Sequence, residues 1–438
     1  MQQTCGYSEY LGKTNRDLMG GAQSSRALCV ASALPHAGAF LPARVLVAAS
    51  RPPSLVRLSR FVRACSSDIP PSPPSAFRLN LLGCTHDELL ALLTEWRQPK
   101  FRAKQLREWV YERGETDFGV MANLPLALRA KLAAHVKVGG LQVEQEQLSQ
   151  DGTVKRLWRL GDGALIESVL MPYDDFRRTA CISSQVGCAM GCTFCATGQM
   201  GFSRQLTSDE IFEQAARFAI ELKSRGERLS NVVFMGMGEP FRNFDAVMDA
   251  VRRIRSDLGI GSRHITISTV GLVPEIRKFA DLCAEENLSL QLAISLHQSS
   301  DAARSAIMPV NRKYDLTQLL EACRYYEARC GRRITFEWAL IAGENDSTEE
   351  AEALGKLLRG IKCHVNLIPL NPTKGYGGAP SGNAQAFVAQ LGWSGIPATV
   401  RVRRGIDIDA GCGQLAEEAS KEAAKRRLEA KAVGRCGA

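Results

Sequence analysis

The stretch Cys188-Ala189-Met190-Gly191-Cys192-Thr193-Phe194-Cys195 places three thiols within eight residues. On one loop, thiolates at this spacing can converge on a single metal centre. Soft thiolate ligands select iron–sulfur clusters, zinc or Cu(I). A structural zinc ion commonly takes four protein ligands as two separated pairs, and no matching pair follows this loop. Three cysteines on a cluster instead leave one iron open to another ligand.

Outward from this loop, short β-branched runs alternate with helical stretches. The pattern predicts strands over Asn231–Met235, His264–Ser268, Ser289–Ser295, Ile334–Leu340, His364–Leu370 and Ala398–Val402. It predicts helices over Ser208–Leu222, Phe244–Ile254, Leu316–Ala328 and Thr348–Leu358. Such alternation implies parallel strands and an α/β fold, a partial or complete (β/α) barrel. Chemistry in barrels sits at the C-terminal strand ends. Gly238 and Glu239 follow the first of these strands, Ser268 ends the second, Ser295, Leu296 and His297 end the third, and Asn371 follows the fifth. Each alone reads equally well as a turn cap or a structural polar group; the set, in barrel order, reads as one ligand pocket.

Residues 77–150 read as a small helical accessory domain. Leu89, Leu90, Leu92 and Leu93 fall at helical spacing, among the basic Lys100, Arg102, Lys104, Arg107 and Arg113. The net charge of +9 favours a polyanionic partner. No apolar run approaches the roughly 20 residues of a membrane-spanning helix, so no membrane partner is expected. Between Met19 and Ser67 there is no acid, while Arg26, Arg44, Arg51, Arg57, Arg60 and Arg63 stand among Ala and Ser. That composition marks an organelle transit peptide, with Val62-Arg63-Ala64-Cys65 resembling a plastid processing site. Residues 1–76 therefore read as targeting segment plus Pro-rich linker, 151–416 as the catalytic domain and 417–438 as a charged tail. Plastid is the expected destination and mitochondrion the alternative.

Of the 14 cysteines, Cys283, Cys323, Cys330 and Cys363 sit in apolar contexts and read as core. Two others stand apart. Cys181 lies just upstream of the three-cysteine loop, and Cys412 lies between two glycines, a setting that predicts a mobile loop. With these in place, residues of about 77–415 resemble the bacterial radical S-adenosylmethionine (SAM) enzymes that methylate carbon 2 of adenine in large-subunit ribosomal RNA and transfer RNA. The matching stretches are Cys181–Phe202, Phe234–Pro240, His264–Pro274, Ala293–His297, Met308–Tyr314, His364–Pro372 and Arg404–Leu415. The segment around Thr373–Asn383 matches less closely.

The resemblance implies a 4Fe–4S cluster on Cys188, Cys192 and Cys195, and two SAM molecules per turnover. It implies SAM contacts at Gly238, Glu239, Ser268, Ser295, Leu296, His297 and Asn371. Cys412 is implied as methyl carrier, Cys181 as the thiol that resolves a protein–RNA adduct, and Glu167 as proton acceptor. The implied partners are ribosomal RNA, transfer RNA as a second candidate, and an electron donor such as ferredoxin or flavodoxin. Two rival readings share these motifs: methylation of adenine carbon 8, and a non-catalytic RNA-binding module with a structural metal.

Overall fold

The computed structural model describes residues 79–415. The targeting segment and its cleavage near Cys65, the Pro-rich linker and the tail from Glu417 lie outside those residues.

One ten-stranded sheet organises the chain, and its strands lie side by side in chain order. β1 (Gln142–Leu148), β2 (Val154–Arg159), β3 (Leu165–Pro172) and β4 (Arg178–Cys181) form an antiparallel meander. From β4 onward every pairing is parallel, through β5 (Asn231–Phe234), β6 (Ile265–Thr269), β7 (Gln291–Ser295), β8 (Ile334–Leu340), β9 (Cys363–Pro369) and β10 (Ala398–Val400). These parallel strands fall where the alternating pattern put them, within a residue or two at each end. Parallel neighbours need long crossovers, and helices supply them.

Ahead of the sheet stand α1 (His86–Glu95), α2 (Phe101–Arg107) and α3 (Leu126–His135). The crossover helices are α4 (Ser208–Ser224), α5 (Phe244–Leu258), α6 (Val273–Glu285), α7 (Asp301–Ile307), α8 (Leu316–Cys330), α9 (Thr348–Leu357) and α10 (Ala384–Trp393). Local chemistry fixes their ends. Thr207 with Glu210 and Asp315 with Gln318 form reciprocal capping boxes at the starts of α4 and α8. Gly259 and Gly331, both left-handed, stop α5 and α8.

The helices ahead of the sheet cover less than the 77–150 expected for the accessory region. They end at His135, and residues 142–148, read from sequence as part of that region, are the edge strand of the sheet. Leu89, Leu92 and Leu93 are buried as their spacing predicts. The region is bound to the barrel: Arg253 of α5 donates to the carbonyls of Leu82 (2.8 Å) and Cys84 (3.3 Å), and Arg107 meets Asp257 at 2.9 Å. Of the basic residues in this region, Arg107 is spent on that ion pair and Arg113 pairs with Glu108. Lys100 and Lys104 remain exposed.

The sheet curls until its ends meet. One cavity is lined by Met171 of β3, Cys181 of β4, Ile368 of β9 and Arg401 just beyond β10. Arg401 Nη2 lies 4.0 Å from the Met171 sulfur across that seam. The closure is by side chains rather than a strand ladder, making a partial barrel.

Candidate active site

The three loop cysteines line a cleft of about 970 Å³ at the C-terminal strand ends. Glu239, Ser268, Ser295, His297, Asn371 and Cys412 line it too. The predicted site residues therefore meet in one place, with three exceptions. Cys181 lines only the adjoining seam cavity. Leu296 turns its side chain into the core and offers only main chain. Glu167 lines neither the cleft nor the seam cavity.

Main-chain bonds aim the cysteine loop. Cys188 N–H donates to Gly201 O (2.8 Å), and Thr193 N–H donates to Ile307 O at the end of α7 (3.0 Å). Met308 packs against Cys192. Burial pushes the Cys188 thiol up to about 12, and raises Cys192 and Cys195 as well. Such thiols become ligands only when a metal's positive charge draws off their protons. All three thiols line the same cleft, where they could hold a cluster.

Asn371 bridges cleft and seam. Its Nδ2 donates to Cys412 O (3.0 Å), while its buried Oδ1 faces no donor. A buried amide oxygen left this way costs free energy until a ligand donor reaches it. Glu239 is 2% exposed, and its carboxylate accepts from Phe241 N–H (3.1 Å) and Val270 N–H (2.9 Å). Burial pushes it up to about 7. A cation entering the cleft, such as the SAM ammonium, needs this group ionised. Below that value binding must first expel a proton. We expect the SAM affinity of cluster-loaded protein to fall about tenfold per unit of acidification, and Glu239→Gln to bind weakly at every pH. Calorimetric titration from about pH 8 to about pH 6 checks this; an unchanged affinity refutes it.

Two residues that line the cleft also serve its shape. Gly238 sits at φ +102, and a Cβ there would press on Gln185, so this glycine serves the fit between loops. His297, at φ +61, accepts the Ala339 N–H at Nδ1 (2.8 Å). Burial, with Arg304 nearby, pushes it down to about 3, so it is a neutral shaping group.

Arg304 went unread. It is fully buried in α7 and gives four hydrogen bonds: to Leu296 O (3.1 Å), Ser295 O (2.9 Å), Val270 O (2.7 Å) and Asn311 Oδ1 (2.8 Å). One guanidinium thus holds the ends of β6 and β7 against the helix that supports the cysteine loop. In a seven-residue helix reading DAARSAI nothing marks it as an inward group.

The Cys412 loop is pinned on both flanks. Ala196 N–H donates to Gly413 O (2.7 Å) and Thr197 Oγ1 to Leu415 O (2.7 Å), stitching it to the cysteine loop. Asp407 accepts from Ser149 Oγ (2.5 Å) and Gln150 N–H (3.2 Å), and Asp151 accepts from Gly405 N–H (3.0 Å). The β1–β2 turn therefore seats the segment leading to Cys412. Cys412 lines both the cleft and the seam cavity that holds Cys181. Glu167, fully buried on β3, has Lys155 Nζ 4.0 Å away. The register places Val169 opposite Cys181, and Lys155 opposite Val169, so all four share one face of the sheet.

Comparisons agree with this layout. The radical SAM superfamily pattern matches residues 182–354, and that of the ribosomal RNA large subunit methyltransferase N-terminal domain matches residues 79–138. Dual-specificity RNA methyltransferase RlmN 1 of Myxococcus xanthus is 48% identical over 359 residues, covering 81% of this chain and 98% of the relative. Probable dual-specificity RNA methyltransferase RlmN of Geobacillus kaustophilus is 43% identical, covering 80% and 95%. The crystal structure of a radical SAM methyltransferase from Sphaerobacter thermophilus is 46% identical, covers 77% of this chain and 99% of its own, and superposes with a TM-score of 0.73.

Proposed function

Since the chain belongs to the RlmN-type radical SAM RNA methyltransferases, we propose that it methylates carbon 2 of an adenosine in large-subunit ribosomal RNA and also accepts transfer RNA. The observation that carries this reading is the position of Cys412, which faces the cysteine-lined cleft on one side and Cys181 on the other. A single sulfur so placed can take a methyl group in the cleft and be released from its product at the seam.

The family's 4Fe–4S cluster and two SAM molecules supply the methyl group and the radical that makes it reactive, once a ferredoxin- or flavodoxin-class donor provides an electron. The chain's own residues do the rest. Cys188, Cys192 and Cys195 hold the cluster; Glu239, Ser268, Ser295 and Asn371 line the space for SAM. Cys412 carries the methyl carbon as a thioether, and that carbon is joined to the adenine. A base then takes the ring proton; Glu167, the candidate that the resemblance implies, stands behind Cys181 on the same sheet face but lines neither cavity. Cys181 then takes the Cys412 sulfur into a disulfide and frees the methylated base. The adenine leaves its stack to enter the cleft.

Nucleoside mass spectrometry of organelle ribosomal and transfer RNA, with and without the gene, tests the reading. Loss of 2-methyladenosine on knockout is expected; loss of 8-methyladenosine moves the reaction to carbon 8, and no change removes the enzyme reading. We also propose plastid import, supported by the acid-poor Met19–Ser67 segment. A fluorescent fusion of residues 1–80 is expected in plastids. Mitochondrial signal corrects the organelle, and cytosolic signal refutes import.

A further inference from the structure

A lysine inside the sheet reaches the loop that carries Cys412, and no step above uses it. Lys155 stands on β2 with 3% of its surface exposed, where a lysine is almost never found unless paired. Its Nζ lies 4.0 Å from Glu167 Oε2 on β3 and donates to the Asp409 carbonyl at 3.4 Å. The register explains the meeting. Lys155 opposes Val169 and Leu157 opposes Glu167, so both charged side chains leave the sheet on one face. Asp409 stands three residues before Cys412, at φ +50, a backbone conformation uncommon for any residue but glycine.

The turn at Asp409 closes on itself. Gln414 Nε2 donates to Asp409 Oδ1 (3.2 Å) and to Pro372 O (3.1 Å), and Gly411 N–H donates to Gln414 Oε1 (3.0 Å). Residues 409–414 thus form a short ring that carries the Cys412 sulfur. Neutral donors tie this ring to the cleft: Asn371 Nδ2 to Cys412 O (3.0 Å) and Ala196 N–H to Gly413 O (2.7 Å). Lys155 supplies a charged tie, from the antiparallel meander.

We propose that Lys155 is a positioning residue for Cys412: its buried ammonium, with Glu167 as counter-ion, grips the Asp409 carbonyl and fixes the carrier sulfur where cleft and seam cavity meet. This deepens the two-cysteine reading above and rests on it for what the sulfur does there. A hydrogen bond from a charged donor is stronger than a neutral one, and more so where water is excluded. The same burial demands a counter-charge for the ammonium, which gives Glu167 a duty of its own. Methyl transfer needs the sulfur in line with the methyl carbon, and a misplacement of about 1 Å can slow such a step about a hundredfold.

The test is hydrogen–deuterium exchange of residues 405–413 in reduced, cluster-loaded protein, with β8 as the reference. It needs neither RNA nor turnover. Lys155→Met is expected to speed exchange of the loop about tenfold, the loss of one charge-assisted hydrogen bond, and to leave β8 unchanged. Lys155→Arg is expected to restore most of the protection. Unchanged loop exchange in Lys155→Met overturns the proposal, and so does a rise shared equally by β8.

A purely structural lysine would serve only to neutralise Glu167. Lys155→Met combined with Glu167→Gln strands no charge and then recovers the parent's loop exchange, which also overturns the proposal; a loop still loosened supports it. Mass spectrometry of the Cys412 peptide after incubation with SAM reads the functional half. Lys155→Met is expected to slow methyl loading about tenfold or more, with the half-saturating SAM concentration unchanged. Loading at the parent rate from a loosened loop overturns the positioning role. If the loop loosens but the parent protein itself never carries a methyl group on Cys412, Lys155 stands as the anchor and the carrier reading falls.

Discussion

A Cys181→Ala variant given SAM, reductant and RNA accumulates protein covalently joined to its substrate, and a Cys412→Ala variant accumulates none. The two residues act in sequence, so their losses leave different remains. Cys412 lines the cleft beside Cys188, Cys192 and Cys195, where the proposed scheme loads the methyl carbon and joins it to adenine. Without its sulfur no bond to RNA can form. Cys181 lines only the seam cavity, so its removal leaves loading and joining intact. What is lost is the attacking sulfur, which water replaces poorly. The trapped species is a band that survives denaturation and disappears with ribonuclease. The double variant shows none. If both single variants are inactive and free of adduct, Cys181 does not resolve. If Cys412→Ala still methylates, the carrier scheme is wrong.

Arg304→Met is expected to damage both the fold and the cluster site. Its guanidinium satisfies three carbonyls and one amide oxygen in a fully buried setting. Each buried acceptor left unpaired costs roughly 1–3 kcal/mol, and the set is worth about 4 kcal/mol or more. In a domain of this size that lowers Tm by about 6 °C. The damage is directional. Val270, Ser295 and Leu296 belong to the strand ends that line or back the cleft, and Ile307 of the same helix holds the cysteine loop through Thr193. Cluster retention and the SAM-induced change in the reduced electron paramagnetic resonance signal should fall further than the melting temperature alone explains. Arg304→Lys should recover part of the Tm and little of the signal, because one ammonium cannot span four acceptors. A Met variant that melts and binds SAM like the parent would falsify this account.

The parallel half of the sheet was legible because its strands are apolar runs buried on both faces, as in Ile334–Leu340. The meander was not. β1 reads QVEQEQL, an edge strand with no apolar face, and β2 hides Lys155 and Arg156 among buried positions. Those charges are matched by Glu167, Glu146 and Glu221, partners that a linear pattern cannot display. The same limit hid Arg304 and Arg401. Thiols at fixed spacing announce themselves because their chemistry is rare. An arginine looks alike whether it meets solvent or four carbonyls, and only the folded path tells them apart.

The order of strands in the sheet bears on how the protein is made. Each strand of this sheet pairs with its predecessor in it, so a chain emerging from the ribosome can extend the sheet one strand at a time, each parallel addition bridged by its own helical crossover. The segment around Cys412 behaves oppositely. The bond from Ser149 to Asp407 spans 258 positions, and that from Thr197 to Leu415 spans 218. These clasps form after synthesis has passed every strand. The sulfur of Cys412 thus belongs to the last stretch of the described chain to be synthesised, after every strand of the sheet that it docks on.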